Sequence, residues 1–304
     1  MDTALLLIHF NRPDVTRRQV DALRTIAPKR VWVLCDAPRP DRVGEDKKVD
    51  EVRSILDALP WDCEVHKLYR EENLGVRENI STGLSWFLNE CKEGIILEDD
   101  CIPSESFFRF VVEALERYRD DVRVFTVSGY TGLDSDLPIE ESYCYSNYFS
   151  CWGWATWKRS WDCYDESMTA FTDQEKWKAI CARLHPSIRQ HLYWKYIFGR
   201  VVAGKVDSWA YRFLLSMWSH HGYAVTPKRN LIENIGFTDD ATNTGGLKVF
   251  QTPKTEITFP LICPSEVESN KAVDQWIEDN CHSKSLKVRL AWLSQKIQQK
   301  FKAN

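Results

Sequence analysis

The first 130 residues alternate between short strand-like runs and longer segments with helical periodicity. The strand-like runs cover residues 4–10, 31–35, 63–69, 94–97 and 122–127. The helical segments between them cover residues 13–26, 47–59, 80–91 and 106–119. Strands separated by helices of this length pair in parallel through right-handed crossovers, so the pattern predicts an α/β fold with a mostly parallel central sheet flanked by helices. Ligands of such sheets bind beyond the carboxyl ends of the strands.

The second half of the chain loses this alternation and is rich in aromatic side chains. Nine of the 22 residues from 143 to 164 are aromatic, and helical patterns follow as far as residue 219. The sequence contains no internal repeat and no long linker. We therefore expect one continuous domain with two halves, residues 1–130 and 131–250, followed by an extension over residues 251–304.

Charge and cysteine usage exclude several classes of protein. The net charge of −4 argues against a nucleic-acid partner, because binding to a duplex depends on neutralising phosphates with Lys and Arg. The ten cysteines are dispersed, with no C-x-x-C pair. No segment reads as an export signal or a membrane span. These features predict a cytoplasmic protein with reduced thiols.

The C-terminal segment differs from the rest in charge. Residues 284–304 contain five Lys, one Arg and no acid. Five apolar residues recur there at spacings of three and four: Leu286, Leu290, Leu293, Ile297 and Phe301. A basic amphipathic helix of this kind suits peripheral contact with an anionic membrane at its inner face. Packing of the helix on its own domain or on a partner is an equally good interpretation.

Three adjacent carboxylates, Glu98, Asp99 and Asp100, follow the strand-like run at residues 94–97. Their mutual repulsion raises their pKa values unless a cation or hydrogen-bond donors compensate. Mn²⁺ or Mg²⁺ would balance the charge and keep positions for phosphate oxygens. The alternative is that the acids offset the dipole of the helix that starts near Pro103.

The triplet, its preceding strand and the Ile102-Pro103 that follows resemble the Glu-Asp-Asp form of the metal motif of GT-A glycosyltransferases, in particular the inverting N-acetylglucosaminyltransferase I type. Other segments with similar motifs occur in the order in which that family has them. They are the strand that ends at Asn11-Arg12, the strand that ends at Asp36, the run Asn73-Leu74-Gly75-Val76-Arg77, and Asp207-Ser208-Trp209.

The resemblance implies a GT-A fold in which residues 1–130 bind a nucleotide-sugar and residues 131–250 hold the acceptor and the catalytic groups. Asp100 is then the metal ligand, Asp99 contacts the ribose or supports the metal through water, and Glu98 holds the donor or orders the groups around the metal ligands. Arg12 reaches the pyrophosphate, Asp36 pairs with the uracil ring, and Arg77 belongs to the donor site. From the residues alone, Arg12 could equally form a surface ion pair near Asp14, and Asp36 could cap a turn or a helix.

The catalytic base is expected at Asp207, by its match to the family's Asp-Asp-Trp. The second Asp of that motif is Ser208 here, so the role could have moved. Asp239 and Asp240 are the reserve candidates. They lie in a polar loop that could close over the donor.

Part of the aromatic segment is predicted to contact the acceptor. Aromatic rings stack on the C–H faces of sugars, and a glycine lets a ligand approach the backbone closely. Trp152, Gly153 and Trp154 are therefore the candidate acceptor residues. The alternative is that these rings fill the core, and the spacing of Trp154 and Trp157 favours packing.

Together these features predict a metal-dependent inverting glycosyltransferase. It would move a sugar from a nucleotide diphosphate, UDP being favoured, to a glycan or lipid-linked acceptor in the synthesis of a cell-surface polysaccharide. Two alternatives stay open. One is a non-catalytic sugar-nucleotide-binding or assembly subunit, and the other is a nucleotidyltransferase.

Overall fold

The computed structural model describes residues 1–132, 136–184, 187–236 and 252–282. The first half contains β1 (Leu5–His9), α1 (Pro13–Leu23), β2 (Arg30–Cys35), α2 (Glu45–Asp57), β3 (Glu64–Tyr69), α3 (Gly75–Cys91), β4 (Glu93–Glu98), β5 (Cys101–Pro103), α4 (Glu105–Arg117) and β6 (Val124–Ser128). The second half contains β7 (Tyr143–Ser146), β8 (Trp154–Trp157), α5 (Lys158–Trp161), α6 (Thr169–Thr172), α7 (Gln174–Leu184), α8 (Ile188–Val202), α9 (Trp209–Ser219), β9 (Tyr223–Pro227), β10 (Ile232–Asn234) and α10 (Lys271–Ile277), which continues as a π-helical turn (Glu278–His282).

Eight strands form the central sheet in the order β3-β2-β1-β4-β8-β6-β9-β7. The four strands at the β3 end are parallel, β8 runs antiparallel between β4 and β6, β9 is parallel to β6, and β7 is an antiparallel edge strand. The predicted α/β fold with a mostly parallel sheet flanked by helices is confirmed. The sequence did not predict that β7 and β8 of the aromatic segment join this sheet.

Alternate residues of the strands face two separate cores. In β1, Leu5 and Leu7 pack with α1, α2 and α4, whereas Leu6 and Ile8 pack with α3 and the helices of the second half. Both faces of the sheet are therefore covered, which explains why the strand runs are almost continuously apolar. Among the described residues, no helix is both long and apolar enough to cross a membrane.

The helices of the second half are stacked in two layers on one face of the sheet. α9 lies against the sheet, where Trp209 stacks on Trp154 of β8 with ring centroids 5.5 Å apart. α8 lies outside α9, and Trp194 meets Trp218 edge to face at 4.7 Å. Much of the aromatic content is thus used to join these two layers to the sheet.

Residues 252–282 hold several parts of the fold together. Asn230 donates its side-chain amide to the carbonyl oxygens of Thr252 and Pro253. Ser269 bridges to Tyr145 of the edge strand β7, and Asp274 accepts hydrogen bonds from Ser146 and Asn147. The buried Glu278 accepts hydrogen bonds from Trp194 and Tyr148. The predicted three-part division of the chain stays a prediction, and the predicted helix at 284–304 lies outside the described residues.

Gly153 is required by the packing of β10 against the sheet. Its φ is +64°, and a Cβ there would lie 2.3 Å from the Ile232 side chain. A side chain at this position would therefore be strained in its backbone and would overlap the core. The prediction that Gly153 provides close approach for a ligand is wrong, because Ile232 occupies that space.

We expect Gly153→Ala to lower the free energy of unfolding by about 2–4 kcal/mol, from the left-handed backbone and the overlap together. Gly199→Ala is the control, since nothing lies within 4 Å of a Cβ at that helical position. The control should stabilise the protein by about 0.5–1 kcal/mol. Urea denaturation of the three proteins measures both changes. Equal stability of Gly153→Ala and the wild type would contradict the assigned strain.

Candidate functional site

The parallel strands β1, β2 and β4 end at one edge of the sheet, and their carboxyl ends carry the predicted site residues. Ile8 of β1 is level with Glu98 of β4, and His9 is level with Cys35 of β2. Arg12, Asp36 and the acidic triplet therefore follow three neighbouring strands at the same edge. This is the position at which α/β sheets bind ligands.

Arg12 forms ion pairs with two members of the triplet. Its Nε donates to Asp99 Oδ2 at 2.9 Å, and its Nη2 donates to Asp99 Oδ1 and, at 3.0 Å, to Asp100 Oδ2. Asp14 pairs with Arg17 instead. The alternative of a surface pair between Arg12 and Asp14 is thus wrong, and the fork of the guanidinium engages the triplet.

If all were ionised, the three carboxyl groups of the triplet would carry more negative charge than Arg12 can balance. Burial, followed by repulsion from Asp100 and Asp99, raises the pKa of Glu98 to about 8. Burial is also the largest cause that raises the pKa of Asp99 and that of Asp100. A cation close to these groups would favour their ionised forms.

Two buried polar residues, which sequence reasoning missed, lie near the triplet, and one of them, Gln19, binds its backbone. Gln19 donates its side-chain amide to the carbonyl oxygens of Glu98, at 2.5 Å, and Cys101, at 2.9 Å. His9 Nδ1 lies 3.0 Å from Thr16 Oγ1, and burial lowers the pKa of His9 to about 3. Gln19 occupies a buried position of α1, and a polar residue on the core face of a helix is the signal that could have identified it.

Residues 234–236, which are distant in sequence, also contact Asp100. Asn234 Nδ2 donates to Asp100 Oδ1 at 3.3 Å, and Ile235 N donates to the Asp100 carbonyl oxygen at 2.9 Å. A Cβ on Gly236 would lie 2.1 Å from Asp100 Oδ2, so only glycine fits there. Nothing local in the sequence identifies these contacts, because β10 reaches Asp100 through its pairing with β5. Asp239 and Asp240, in the loop that follows, lie outside the described residues.

Asp36 binds the N-terminal turn of α3. Its Oδ1 accepts from the backbone N–H groups of Ala37 and Leu74, and its Oδ2 accepts from Gly75 N–H and from the side chain of Asn73. Burial raises the pKa of Asp36, and the backbone hydrogen bonds oppose that shift. Asp36 thus binds mainly the start of a helix distant in sequence, with only the Ala37 N–H bond belonging to its own turn, and pairing with uracil stays a prediction.

Asp207 and Arg77, predicted as base and donor residue, lie together near the start of α3. Arg77 Nε donates to Asp207 Oδ1 at 2.9 Å, and Arg77 Nη1 pairs with Glu166. A Cβ on Gly75 would lie 3.7 Å from Asp207 Oδ2, which places Asp207 beside the turn that Asp36 binds. The Asp207 side chain is 57% exposed. Glu166 belongs to no motif, so sequence reasoning missed it.

Ser208 has a local structural role in this sequence. It is the N-cap of α9, and its hydroxyl accepts a hydrogen bond from Tyr211 N at 3.3 Å. Serine and aspartate are both good N-caps, so Ser208 satisfies the start of the helix whether or not a second acid is needed for chemistry. Asp207, directly before it, points away from the helix toward Arg77.

The aromatic residues predicted to contact an acceptor divide into core and partly exposed rings. Trp154 is fully buried, where it stacks on Trp209 and packs against Phe213, so its assignment to the acceptor is wrong. Trp152 is only partly buried and meets Tyr130 edge to face at 4.7 Å. Of the predicted acceptor residues, Trp152 is the one that is not fully buried.

The carboxylates of the triplet could hold a divalent cation only together with oxygen atoms from a substrate or water. Over the described ranges, no three His, Cys, Asp or Glu residues are arranged as a full set of metal ligands. Mg²⁺ is commonly held by one or two carboxylates, with substrate phosphates and water at its other positions. Asp100 and Asp99 could provide such carboxylates, and a nearby cation would oppose the rise that burial causes in their pKa values.

The raised pKa of Glu98 predicts a particular pH dependence of stability. From its ordinary pKa of 4.5 to about 8, the folded protein retains a proton that the unfolded chain releases, so wild-type stability should fall as the pH rises through this range. Glu98→Gln, which cannot ionise, should lose less stability. Urea denaturation at several pH values, in buffer with a chelator, measures the difference. The exposed Glu71→Gln control should follow the wild type, and a Glu98→Gln profile parallel to the wild type would contradict the shift.

Comparison with known proteins identifies partial structural likeness only. No family model and no curated protein matches this sequence. Mouse xyloside xylosyltransferase 1 in its apo form is 10% identical over 71% of this chain and 81% of that chain, with a TM-score of 0.39. HddC from Yersinia pseudotuberculosis is 10% identical over 53% of this chain and 80% of that chain, with a TM-score of 0.35. A UDP-glucose pyrophosphorylase complexed with UDP-glucose is 10% identical over 54% of this chain and 79% of that chain, with a TM-score of 0.31. At these scores the likeness does not indicate a function.

Proposed function

We propose that this protein is a metal-dependent inverting glycosyltransferase of the GT-A type, with a nucleoside diphosphate sugar, UDP being favoured, as its donor. The proposal rests on the ion pairs of Arg12 with Asp99 and Asp100 at the carboxyl ends of β1 and β4. Two carboxylates and a guanidinium group at this edge suit a substrate whose phosphates bind together with a divalent metal ion. The pairing of Asp207 with Arg77 supplies a candidate base near the same edge.

Asp100, with help from Asp99, would hold Mn²⁺ or Mg²⁺. When bound, the cation supplies positive charge beside the leaving diphosphate. Arg12 Nη1, which makes none of the bonds to the triplet, would donate to the phosphate oxygens, and Glu98 supports the triplet from the end of β4. With all three acids ionised, the triplet and Arg12 carry a net charge of −2, which a divalent cation balances.

Asp207 is the proposed general base for the acceptor hydroxyl. Its exposed carboxylate can accept the proton while the hydroxyl oxygen attacks the anomeric carbon, and the diphosphate leaves from the opposite face. Arg77 holds the carboxylate in one orientation. Trp152 is the proposed ring for stacking against an acceptor sugar.

Asp100→Asn should abolish Mn²⁺-dependent binding of UDP, because it removes the charge that the cation needs. The matched control is Asp14→Asn, an exposed acid of α1 in which the same change should leave binding intact. Isothermal titration with UDP, with and without Mn²⁺, measures both variants. Metal-dependent affinity that is unchanged in Asp100→Asn would refute the metal assignment.

Asp207→Asn should retain UDP binding and lose about 10²–10⁴-fold in turnover, the range that one acid–base group contributes. Screening UDP-, GDP- and dTDP-sugars for Mn²⁺-dependent release of nucleoside diphosphate measures turnover and identifies the donor. Formation of nucleoside triphosphate from pyrophosphate and a nucleotide-sugar would instead indicate a nucleotidyltransferase. Binding without turnover in the wild type would indicate a binding subunit, and full turnover in Asp207→Asn would transfer the role to Asp239 or Asp240.

A further inference from the structure

The outer helical layer contains a long stretch without acidic residues. From Lys176 to Val206 the sequence has no Asp or Glu, although the whole chain has a net charge of −4. Seven cations lie in this stretch: Lys176, Lys178, Arg183, Arg189, Lys195, Arg200 and Lys205. The stretch covers α8 and all of α7 after its first two residues, Gln174 and Glu175.

The outer face of α8 is also apolar. Ile188 is 72% exposed, Leu192 57% and Tyr196 48%. These residues are four positions apart, so they form one stripe along the helix. The opposite face, with Trp194 and Phe198, is buried against α9. The exposed stripe is therefore separate from the face that holds the helix in the fold.

The cations of α8 lie on the same side as the apolar stripe. With 100° between successive residues, Ile188, Arg189, Leu192, Lys195, Tyr196, Arg200 and Val202 lie within an arc of about 160°. Arg200 contacts Tyr196 on this face, where its Nη1 donates to the Tyr196 hydroxyl at 3.1 Å. Aliphatic side chains framed by Lys and Arg are the pattern of a helix that lies in a membrane interface.

We infer that the outer face of α8 docks on an anionic lipid surface. Aliphatic side chains enter the boundary between headgroups and acyl chains, while the surrounding cations meet lipid phosphates. A nucleic acid would use the cations and leave Ile188 and Leu192 exposed to water. The other exposed large apolar residues, Val43, Val122 and Ile262, come from separate elements and do not form a stripe with this helix.

Docking of α8 would also determine how far the proposed base lies from the lipid surface. The helix ends at Val202, and five more residues lead to Asp207, a span of at most about 17 Å even when fully extended. A docked α8 therefore holds the proposed base close to the lipid surface, where a lipid-linked acceptor would be presented. This consequence rests on the proposed function, whereas lipid docking does not.

The test is flotation of the full-length protein with vesicles, without nucleotide or metal. The wild type should bind vesicles of phosphatidylcholine with about 30% phosphatidylglycerol, should bind pure phosphatidylcholine much more weakly, and should be released by high salt. Leu192→Glu should lower the partition coefficient about tenfold or more, because it removes a buried aliphatic group and adds a repelled charge. Leu192→Met should bind like the wild type.

Val43→Glu is the matched control, since it places the same charge on another exposed apolar position. It should leave binding unchanged, and thermal melting should show that all variants are folded. A parallel variant, Leu290→Glu, measures the contribution of the basic segment at 284–304. The inference is overturned if the wild type does not prefer anionic vesicles, or if Leu192→Glu binds like the wild type while Leu290→Glu loses binding. Loss of turnover with intact vesicle binding would affect only the proposed function.

Discussion

The ion pairs between Arg12 and the aspartates of the triplet determine how the candidate site is built. The Arg12 guanidinium follows β1, and the two carboxylates follow β4, so the parallel pairing of these strands is what brings them together. Because the carboxylates are largely buried, they require a compensating charge, and one arginine supplies only part of it. Gln19 and Asn234 add hydrogen bonds from two other elements. The same shortage of positive charge that makes the site costly to fold is what the proposed divalent cation would balance.

The first half of the fold could be predicted well from the sequence because its signals are local. The buried strands read as apolar runs, and helices such as α3 and α4 place their apolar residues on one face. The secondary structure of the second half was harder to predict, since its aromatic residues occur in both strands and helices. Trp154 and Trp157 have helical spacing, yet both belong to β8, which is buried on both faces of the sheet. These residues form a strand because they pair with β4, and local spacing does not reveal a long-range contact of this kind.

The candidate site was predictable where a motif follows a strand and unpredictable where the fold brings distant residues in. Arg12, Asp99 and Asp100 lie together as the motifs predicted, and Arg77 lies with Asp207. The contact of Asn234 with Asp100 joins residues 134 positions apart and depends on the short pairing of β10 with β5. Gly153 and Trp154 were misjudged for a related reason. A glycine or a tryptophan can be needed for close packing or for ligand contact. Only the positions of Ile232 and Trp209 distinguish these two roles here.

Ser269 and Asn270, which pair with the edge strand β7, also oppose aggregation of the protein. An open sheet has two edges, and each edge is a place where another chain could add a strand and start aggregation. At one edge, Ser269 bridges to Tyr145 and Asn270 N–H donates to the Tyr145 carbonyl oxygen at 2.8 Å, so part of the backbone of β7 is already paired. At the other edge, β3 carries the charged Glu64 and Lys67, which oppose an incoming strand. The two edges are thus protected differently, one by a covering segment and the other by charge.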